Sequence, residues 1–329
     1  MRLTIGIPTY NRALKLKLQL NNLCKLISKS SFKNHITVYV SNNGSNDNTI
    51  EIIKEYEVKF KQSEISFISN NFPINKGFDT NILFLYYENK SDFIWFLSDD
   101  DEIQENSIEQ IFIDINKHNP DIVYYNFNQE PYTFITPYIE QSSIYKFNDN
   151  ITGLKKIINW PKLTSLVFKK RNNNIILPHN NFGFAHIELV LFNSIPNGII
   201  LFSNYFIASV QNDYLDNINF PPYIGNSLNQ SIKITLEKLD QNIYYEILKI
   251  PNTDPLISSL NMLGASYRNK FLLNSNLKNE LLSTIKYELK KRNYKLLINY
   301  RFIFELFKYI ISYLFFVNKY ANNFFYKKK

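Results

Sequence analysis

The first 125 residues alternate short apolar runs with longer segments in which apolar residues recur at helical spacing. The short runs predict β-strands at residues 3–7, 36–40, 65–68, 93–97 and 122–125. The longer segments predict helices at residues 13–27, 78–87 and 107–116, and one that begins near Asp47 and carries Ile50, Ile53 and Tyr56. In the first helix the spacing places Leu14, Leu18, Leu20, Leu23 and Ile27 near one face. Strands that alternate with helices need crossover connections, so the pattern predicts an α/β fold with a mostly parallel sheet.

The alternation weakens beyond about residue 131. Strands are predicted at residues 166–169 and 199–206, with a short helix at residues 185–193 between them. From residue 230 the pattern is helical to the end, broken at Pro251 and Pro255. We therefore predict one domain over residues 1–228, in two halves (1–125 and 126–228), followed by a helical C-terminal region over residues 229–329.

Polar residues cluster directly after the first three predicted strands. Ligands of a parallel sheet bind outside the carboxyl ends of its strands, so these clusters are candidate site residues. The first cluster offers an aromatic face for a base, the second offers amides that can read a base edge or a ribose, and the third offers helix N–H groups and a lysine for a phosphate. The residues are Pro8, Thr9, Tyr10, Asn11 and Arg12 in the first, Asn42 and Asn43 in the second, and Lys76 and Gly77 in the third.

Three consecutive carboxylates, Asp99, Asp100 and Asp101, follow the apolar run at residues 93–97. In a partly buried site they repel one another unless a cation or several donors neutralise them. A divalent ion does so economically, because Mg²⁺ or Mn²⁺ is held by one or two carboxylates together with diphosphate oxygens. The alternative is a solvated acidic turn that caps the helix beginning near Ser107.

The ordered motifs IPTYNR, VSNNGSND, NKGFDTN and FIWFLSDDDEI resemble those of inverting family 2 glycosyltransferases with the GT-A fold. The last motif is especially similar to bacterial enzymes that build surface polysaccharides, including abequosyltransferase-like proteins. The resemblance implies transfer of a sugar, with inversion, from a nucleotide-diphosphate donor to a hydroxyl of a lipid-linked glycan acceptor. It also implies Mn²⁺ or Mg²⁺ as the cofactor.

By this resemblance, Thr9, Tyr10 and Asn42 lie at the nucleoside. Many relatives carry an aspartate in the second loop where this chain has Asn42, which can donate as well as accept. A pyrimidine other than uracil is therefore possible as the base of the donor.

The family's acidic motif can be placed on residues 98–100 or on residues 99–101. We assign Asp100 and Asp101 to the metal and Asp99 to the sugar or ribose, with Asp99 also a candidate metal ligand. For the base that deprotonates the acceptor, relatives usually carry an aspartate at the start of a helix. Here that stretch contains His186 and Glu188; either can act as the general base, and a packed structural histidine is the alternative for His186.

Positive charge is concentrated near the C-terminus. The net charge is +8, and residues 286–329 hold eleven Lys and Arg against two acids, whereas the rest of the chain holds 26 basic and 27 acidic residues. A nucleic-acid partner is therefore not expected. In residues 301–319 the polar positions form one narrow helical stripe, and Glu305 and Lys308 interrupt the roughly 18 apolar residues that a spanning helix needs. We predict that the tail at residues 301–329 lies in the plane of an anionic membrane surface; a core helix or an oligomer contact is the alternative.

The single cysteine, Cys24, excludes an internal disulfide framework and a cysteine-built zinc site. The first residues contain no apolar stretch long enough for a signal peptide, so a cytoplasmic protein, peripheral on the inner face of the cytoplasmic membrane, is expected. Two other functions remain open. A nucleotidyltransferase is expected to show a glycine-rich phosphate loop with a basic residue near the amino terminus, and this sequence has none there. A non-catalytic glycan-assembly module would keep the acidic run and lose the base.

Overall fold

The computed structural model describes residues 1–128, 139–146, 154, 157, 162–171, 183–195, 197–209, 232, 234 and 235. They belong to one compact unit that comprises Met1–Asn212 and Ser231–Asn242. Apart from residues 232, 234 and 235, the predicted C-terminal region at 229–329, including the tail at 301–329, lies outside the described residues. The predicted domain boundary at residue 228 lies outside them as well.

The described strands and helices follow the predicted alternation in the first half of the chain. The strands are β1 (Leu3–Thr9), β2 (Ile36–Asn42), β3 (Ser66–Asn71), β4 (Phe93–Phe96), β5 (Glu102–Ile103), β6 (Ile122–Asn128), β7 (Ser143–Lys146), β8 (Leu166–Lys169) and β9 (Ile199–Ser209). The α-helices are α1 (Ala13–Lys29), α2 (Thr49–Gln62), α3 (Phe78–Glu88), α4 (Ser107–His118) and α5 (Ala185–Ser194), with 3₁₀ turns at Lys33–His35 and Leu163–Ser165.

These strands form one sheet in the order β3-β2-β1-β4-β8-β6-β9-β5, and β7 also pairs with β9. β1 pairs in parallel with β2 and β4, β2 with β3, and β6 with β9. β8 is antiparallel to both β4 and β6, and β5 and β7 are antiparallel to β9. Most of the described strands therefore run in one direction, as predicted, and the antiparallel β8 lies between the two parallel groups.

Burial explains why the central strands form. Every residue of β4 is buried, and β1 and β2 are almost entirely buried, as is expected of strands covered by helices on both faces. The core that they share with α1, α2 and α4 includes Leu3, Ile5, Val38, Trp95 and Phe112. This packing fixes the carboxyl ends of β1, β2 and β4 next to one another.

The buried face of α1 differs from the predicted one. Leu20, Leu23 and Ile27 are buried as expected, but Leu14 is 78% exposed and Leu18 is 72% exposed. The core face uses Ala13, Leu16 and Gln19 at its first two turns. Within the part of the chain that the structure describes, no helix is long and apolar enough to cross a membrane.

Candidate active site

Asp99 lies at the carboxyl end of β4, where it contacts the loop that follows β1. The hydroxyl of Thr9 donates to its Oδ2 atom at 2.7 Å, and Arg12 Nη1 donates to its Oδ1 atom at 2.8 Å. Asp99 is 3% exposed. Burial raises the pKa of Asp99 to about 6, although Arg12 opposes this rise and Asp100 adds to it. The first and fourth strands thus place the predicted residues Thr9, Arg12 and Asp99 in direct contact.

Arg12 also holds Asp100, whose carboxylate lies closer to solvent. Arg12 Nη1 donates to Asp100 Oδ2 at 2.6 Å, and Lys15 Nζ lies 3.7 Å from the same oxygen. The Asp100 side chain is 15% exposed, against 4% for Asp99. Partial burial acts to lower the pKa of Arg12, but the charges of Asp99 and Asp100 outweigh burial and raise it. Asp100 is therefore a partly accessible carboxylate next to a guanidinium that stays protonated.

Asp101 points to a different partner. The hydroxyl of Thr164, in the 3₁₀ turn before β8, donates to Asp101 Oδ2, and Asp101 is 3% exposed. Burial raises the pKa of Asp101, opposed by the charge of Lys162 and by the hydrogen bond from Thr164. Gln19, on the buried face of α1, donates to the carbonyl oxygens of Ser98 and Asp101 at 2.8 and 2.6 Å. The sequence prediction included neither Thr164 nor Gln19.

The three carboxylates therefore do not converge on one point. Asp99 and Asp100 share the Arg12 guanidinium, whereas Asp101 accepts from Thr164 in the turn before β8. Among the described residues, no group of three or more His, Cys, Asp or Glu side chains is placed to hold a metal ion together. A cation at this site would thus use one or two of the carboxylates, as Mg²⁺ and Mn²⁺ commonly do when phosphate oxygens complete their coordination.

Asn42 ends β2 and is completely buried. Its Oδ1 atom accepts from the N–H and the hydroxyl of Ser45 at 3.1 and 2.5 Å, and its Nδ2 atom donates to Asn71 Oδ1 at 3.2 Å. Both ends of the Asn42 amide are therefore engaged inside the protein. Asn42 holds the second loop against the end of β3.

Asn43 connects the first three loops. Its N–H donates to Thr9 O at 2.9 Å, its Oδ1 atom accepts from Lys76 N–H at 2.8 Å, and its Nδ2 atom donates to Gly77 O at 3.1 Å. Gly44 has φ +73, and a Cβ there would lie 2.4 Å from the backbone carbon of Ile74. The loops after β2 and β3 approach each other so closely that only glycine fits at position 44.

The remaining predicted residues of the first loops lie at the surface of this cluster. Pro8 is partly buried, Tyr10 is 39% exposed, and Lys76 is exposed. Asn11 has φ +52, and its Oδ1 atom accepts from Asn46 N–H at 2.7 Å. Asp47 caps two helices, because Oδ2 accepts from Ala13 N–H at 3.0 Å and Oδ1 from Thr49 N–H at 3.1 Å. Tyr10 and Lys76 are thus exposed to solvent next to loops whose backbone is hydrogen-bonded.

His186 and Glu188 lie on α5, in which every residue is buried. His186 is 5% exposed and Glu188 is fully buried. The His186 ring meets the edge of Phe78, with centroids 6.2 Å apart and planes at 86°. Phe78 begins α3 directly after Gly77, so His186 lies against the helix that follows the third loop.

Asp79 was not predicted as a site residue. Its Oδ2 atom accepts from Gly183 N–H at 2.8 Å, and its Oδ1 atom accepts from Ala185 N–H at 2.9 Å. The only sequence signal was a single acid at the start of an apolar helix, and its partners lie more than 100 residues away. Asp79 connects the third loop with the helix that carries both candidate bases.

Comparison with known proteins identifies the fold and the family. An uncharacterized glycosyltransferase of Mycoplasma pneumoniae, the MG060 homolog, is 27% identical over 132 residues, which are 39% of this chain and 42% of that relative. The match thus covers less than half of either chain.

Two solved structures have similar folds. The crystal structure of S. aureus TarS 1–349 in complex with UDP-GlcNAc has a TM-score of 0.63 at 14% identity, covering 98% of this chain and 92% of that one. The mannosyltransferase PcManGT from Pyrobaculum calidifontis, in complex with GDP-Man and Mn²⁺, has a TM-score of 0.56 at 11% identity, covering 94% of this chain and 85% of that one. The predicted GT-A fold is confirmed. The family model "Glycosyl transferase family 2" matches residues 4–192, more than half of the chain, so this protein belongs to that family of glycosyltransferases.

Proposed function

We propose that this glycosyltransferase moves a sugar from a nucleotide-diphosphate donor to a hydroxyl of a glycan acceptor, with inversion and with a bound divalent metal. The observation that carries the proposal is the cluster of Thr9, Arg12, Asp99 and Asp100 at the adjoining carboxyl ends of β1 and β4. Ligands of α/β sheets bind at this edge. Buried Asp99 offers a hydrogen-bond acceptor, and the more exposed Asp100 next to it offers a ligand for a cation.

The donor is proposed to bind across the first three loops. Tyr10 offers an exposed aromatic face for the base, and Thr9 lies at the nucleoside. The structure modifies the expectation for Asn42: because both ends of its amide are already bonded, we propose that it supports the base through Ser45 and Asn71. Lys76 and the N–H groups that begin α3 lie next in the chain and suit the diphosphate. TarS and PcManGT were solved with UDP-GlcNAc and GDP-Man, which supports a nucleotide-sugar donor here.

Asp100 is proposed as the main ligand of Mn²⁺ or Mg²⁺. It is the most exposed carboxylate of the run, and within the described part of the chain Arg12 and Lys15 contact only its Oδ2 atom. Asp99 is proposed to accept a hydrogen bond from the sugar or ribose, and buried Asp101 to hold the turn in place through Thr164. The oxygen donors fit a hard cation, and PcManGT was solved with Mn²⁺. When bound, such an ion neutralises the charge that develops on the departing diphosphate.

His186 is proposed as the general base, with Glu188 as the second candidate. An imidazole can take the proton of the acceptor hydroxyl at neutral pH while that oxygen attacks the anomeric carbon and the bond to the diphosphate breaks. His186 contacts Phe78, which is 43% exposed and adjoins the third loop, whereas Glu188 is fully buried. His186 is therefore connected to the third loop through its contact with Phe78. A single displacement of this kind inverts the anomeric configuration.

The acceptor is proposed to be lipid-linked, as in bacterial surface-polysaccharide synthesis, because the fourth motif resembles abequosyltransferase-like enzymes. The basic, aromatic tail at residues 301–329 supports a position on the inner face of the cytoplasmic membrane. We also retain the division into a domain at 1–228 and a helical region at 229–329 as a proposal. Residues 1–125 would then bind the donor and residues 126–228 the acceptor.

Calorimetric titration with UDP, GDP, CDP, ADP and dTDP tests the donor proposal. We expect one nucleoside diphosphate to bind in the presence of Mn²⁺ and to lose at least tenfold in affinity when EDTA replaces the metal. Binding of none of them by folded protein would contradict a nucleotide donor. NMR of the product then tests inversion, since retention of the donor's anomeric configuration would refute a single displacement.

A further inference from the structure

The helix that carries the candidate bases lacks a cap of its own. α5 begins after Phe184, whose side chain makes no capping hydrogen bond. Asp79, which is 1% exposed and comes from α3, instead accepts from the N–H of Ala185, the first residue of α5, and from the N–H of Gly183 just before the helix. A carboxylate at a helix N-terminus is also favoured by the helix dipole.

The opposite end of α5 is held by a cation. Arg171 donates to the carbonyl oxygens of Phe192, Asn193 and Ile195 at distances of 2.9, 2.6 and 2.9 Å. These carbonyl groups lie at the end where the helix dipole favours positive charge. The position of α5 along its axis is therefore fixed at both ends by side chains from other elements, and its side chains are fully packed.

The N-terminal contact is continuous with the donor loops. Asn43 bonds the backbone of Lys76 and Gly77, and Asn75 Oδ1 accepts from Gly77 N–H at 2.8 Å. The next two residues of the chain are Phe78, against the His186 ring, and Asp79, on the α5 N-terminus. Five consecutive residues thus connect the end of β2 with the ring and the helix of the candidate base.

We propose that Asp79 is a positioning residue that sets the place of His186 relative to the bound donor, with Phe78 orienting the imidazole. The inference rests on the proposed role of His186 as general base. A donor that contacts Lys76 and Gly77 then binds to the same segment that positions His186. The segment therefore sets the distance between the donor and the base, although the two do not contact each other directly. Misplacing a reacting group by about 1 Å can cost about 10²-fold in rate, so loss of this connection is expected to lower turnover.

A double-mutant cycle on turnover tests the proposal. The assay is Mn²⁺-dependent release of nucleoside diphosphate from the best sugar donor in a panel of UDP-, GDP-, CDP- and dTDP-sugars. Asp79→Asn keeps the volume and only one acceptor oxygen, and we expect kcat to fall about 10- to 100-fold with the KM for the donor unchanged. In a His186→Ala background the same substitution should have no further effect on kcat, because Asp79 acts through His186.

Asn89→Ala is the matched control. Asn89 is a buried cap at the other end of α3, where it bonds the backbone of Ser91, so its loss destabilises the same helix away from α5. We expect kcat to stay within twofold of wild type. If Asp79→Asn does not fold, Phe78→Leu tests the same connection in the cycle, because Phe78 is 43% exposed and its substitution removes the ring contact with His186.

The outcomes separate the two proposals. Effects of Asp79→Asn and His186→Ala that multiply in the double variant would overturn the positioning role and leave the base assignment intact. Unchanged turnover in His186→Ala alone would overturn the base assignment, and the positioning role with it. No release from any sugar in the panel would overturn the donor proposal itself.

Discussion

Asp100→Asn is predicted to lower metal-dependent transfer strongly while leaving the fold intact. The substitution removes one charge from the most exposed carboxylate of the run and keeps its volume. Arg12 loses its 2.6 Å partner but keeps Asp99 at 2.8 Å, and Lys15 loses only the longer contact of 3.7 Å to the same Asp100 oxygen. The lost pair includes an Arg12 side chain that is 44% exposed, and such pairs contribute about 1 kcal/mol or less to the free energy of unfolding.

The cost to turnover is expected to be much larger. A bound metal supplies several kcal/mol of charge stabilisation in the transition state, and each ~1.4 kcal/mol is tenfold in rate. Losing its main ligand should therefore lower kcat/KM by about 10²- to 10³-fold. Release of nucleoside diphosphate at several Mn²⁺ concentrations measures the effect, and thermal unfolding checks the fold.

Glu55→Gln is the matched control for this prediction. Glu55 is also a carboxylate between two cations, 3.2 Å from Lys17 and 2.5 Å from Lys59, but it lies on the outer surface of α2. Its substitution should leave kcat/KM unchanged. Wild-type activity of Asp100→Asn would refute the assignment of Asp100 to the metal, if it is seen both at every Mn²⁺ concentration and in EDTA.

Three further predictions concern the base, a helix cap and the tail. His186→Ala should lower kcat by about 10²- to 10⁴-fold with little change in donor affinity; full activity together with an inactive Glu188→Gln would move the base to Glu188. Asp47→Ala should lower the free energy of unfolding by about 1 kcal/mol at neutral pH in denaturant titrations. Partial burial acts to raise the pKa of Asp47, but hydrogen bonds from Thr49 and Ala13 outweigh burial and lower the pKa. The stabilisation by Asp47 is therefore present above the ordinary carboxyl pKa and disappears as the pH falls through the lowered pKa of the folded protein. An equal loss of unfolding free energy in Asp47→Ala at pH 2 would contradict this prediction. Removing residues 301–329 should release the protein from anionic vesicles while donor hydrolysis persists; equal vesicle binding by the truncated chain would contradict a membrane role for the tail.

Local pattern was sufficient to predict the elements that build the donor half. The strands at 3–9, 36–42 and 93–96 are buried on both faces, and such strands appear in a sequence as short apolar runs between turn residues. The pattern was less informative for α1, because leucines occur on two sides of that helix. Leu14 and Leu18 are exposed, and Gln19 takes a buried position because the carbonyl groups of Ser98 and Asp101 need a donor there.

The order of the strands and the partners of the site depend on contacts that local pattern does not contain. β8 pairs with β4 and β6 and brings Thr164 to Asp101, although 63 residues separate the two side chains. Asp79 likewise bonds backbone groups at residues 183 and 185. Backbone donors carry no residue-specific signal, so the contact between Asp79 and α5 was not predictable from the chain itself. The division of the three aspartates between Arg12 and Thr164 was not predictable either.

The central claim is that the edge formed by β1 and β4 uses a nucleotide-diphosphate sugar and a divalent metal. The most direct test is nucleoside diphosphate release from a panel of nucleotide sugars by the wild-type chain, in Mn²⁺ and in EDTA, with Asp100→Asn in parallel. We expect release from sugars of one nucleotide class, which EDTA abolishes and which the substitution lowers by about 10²-fold or more. Release that persists in EDTA, or no release from any sugar by folded protein, would contradict it.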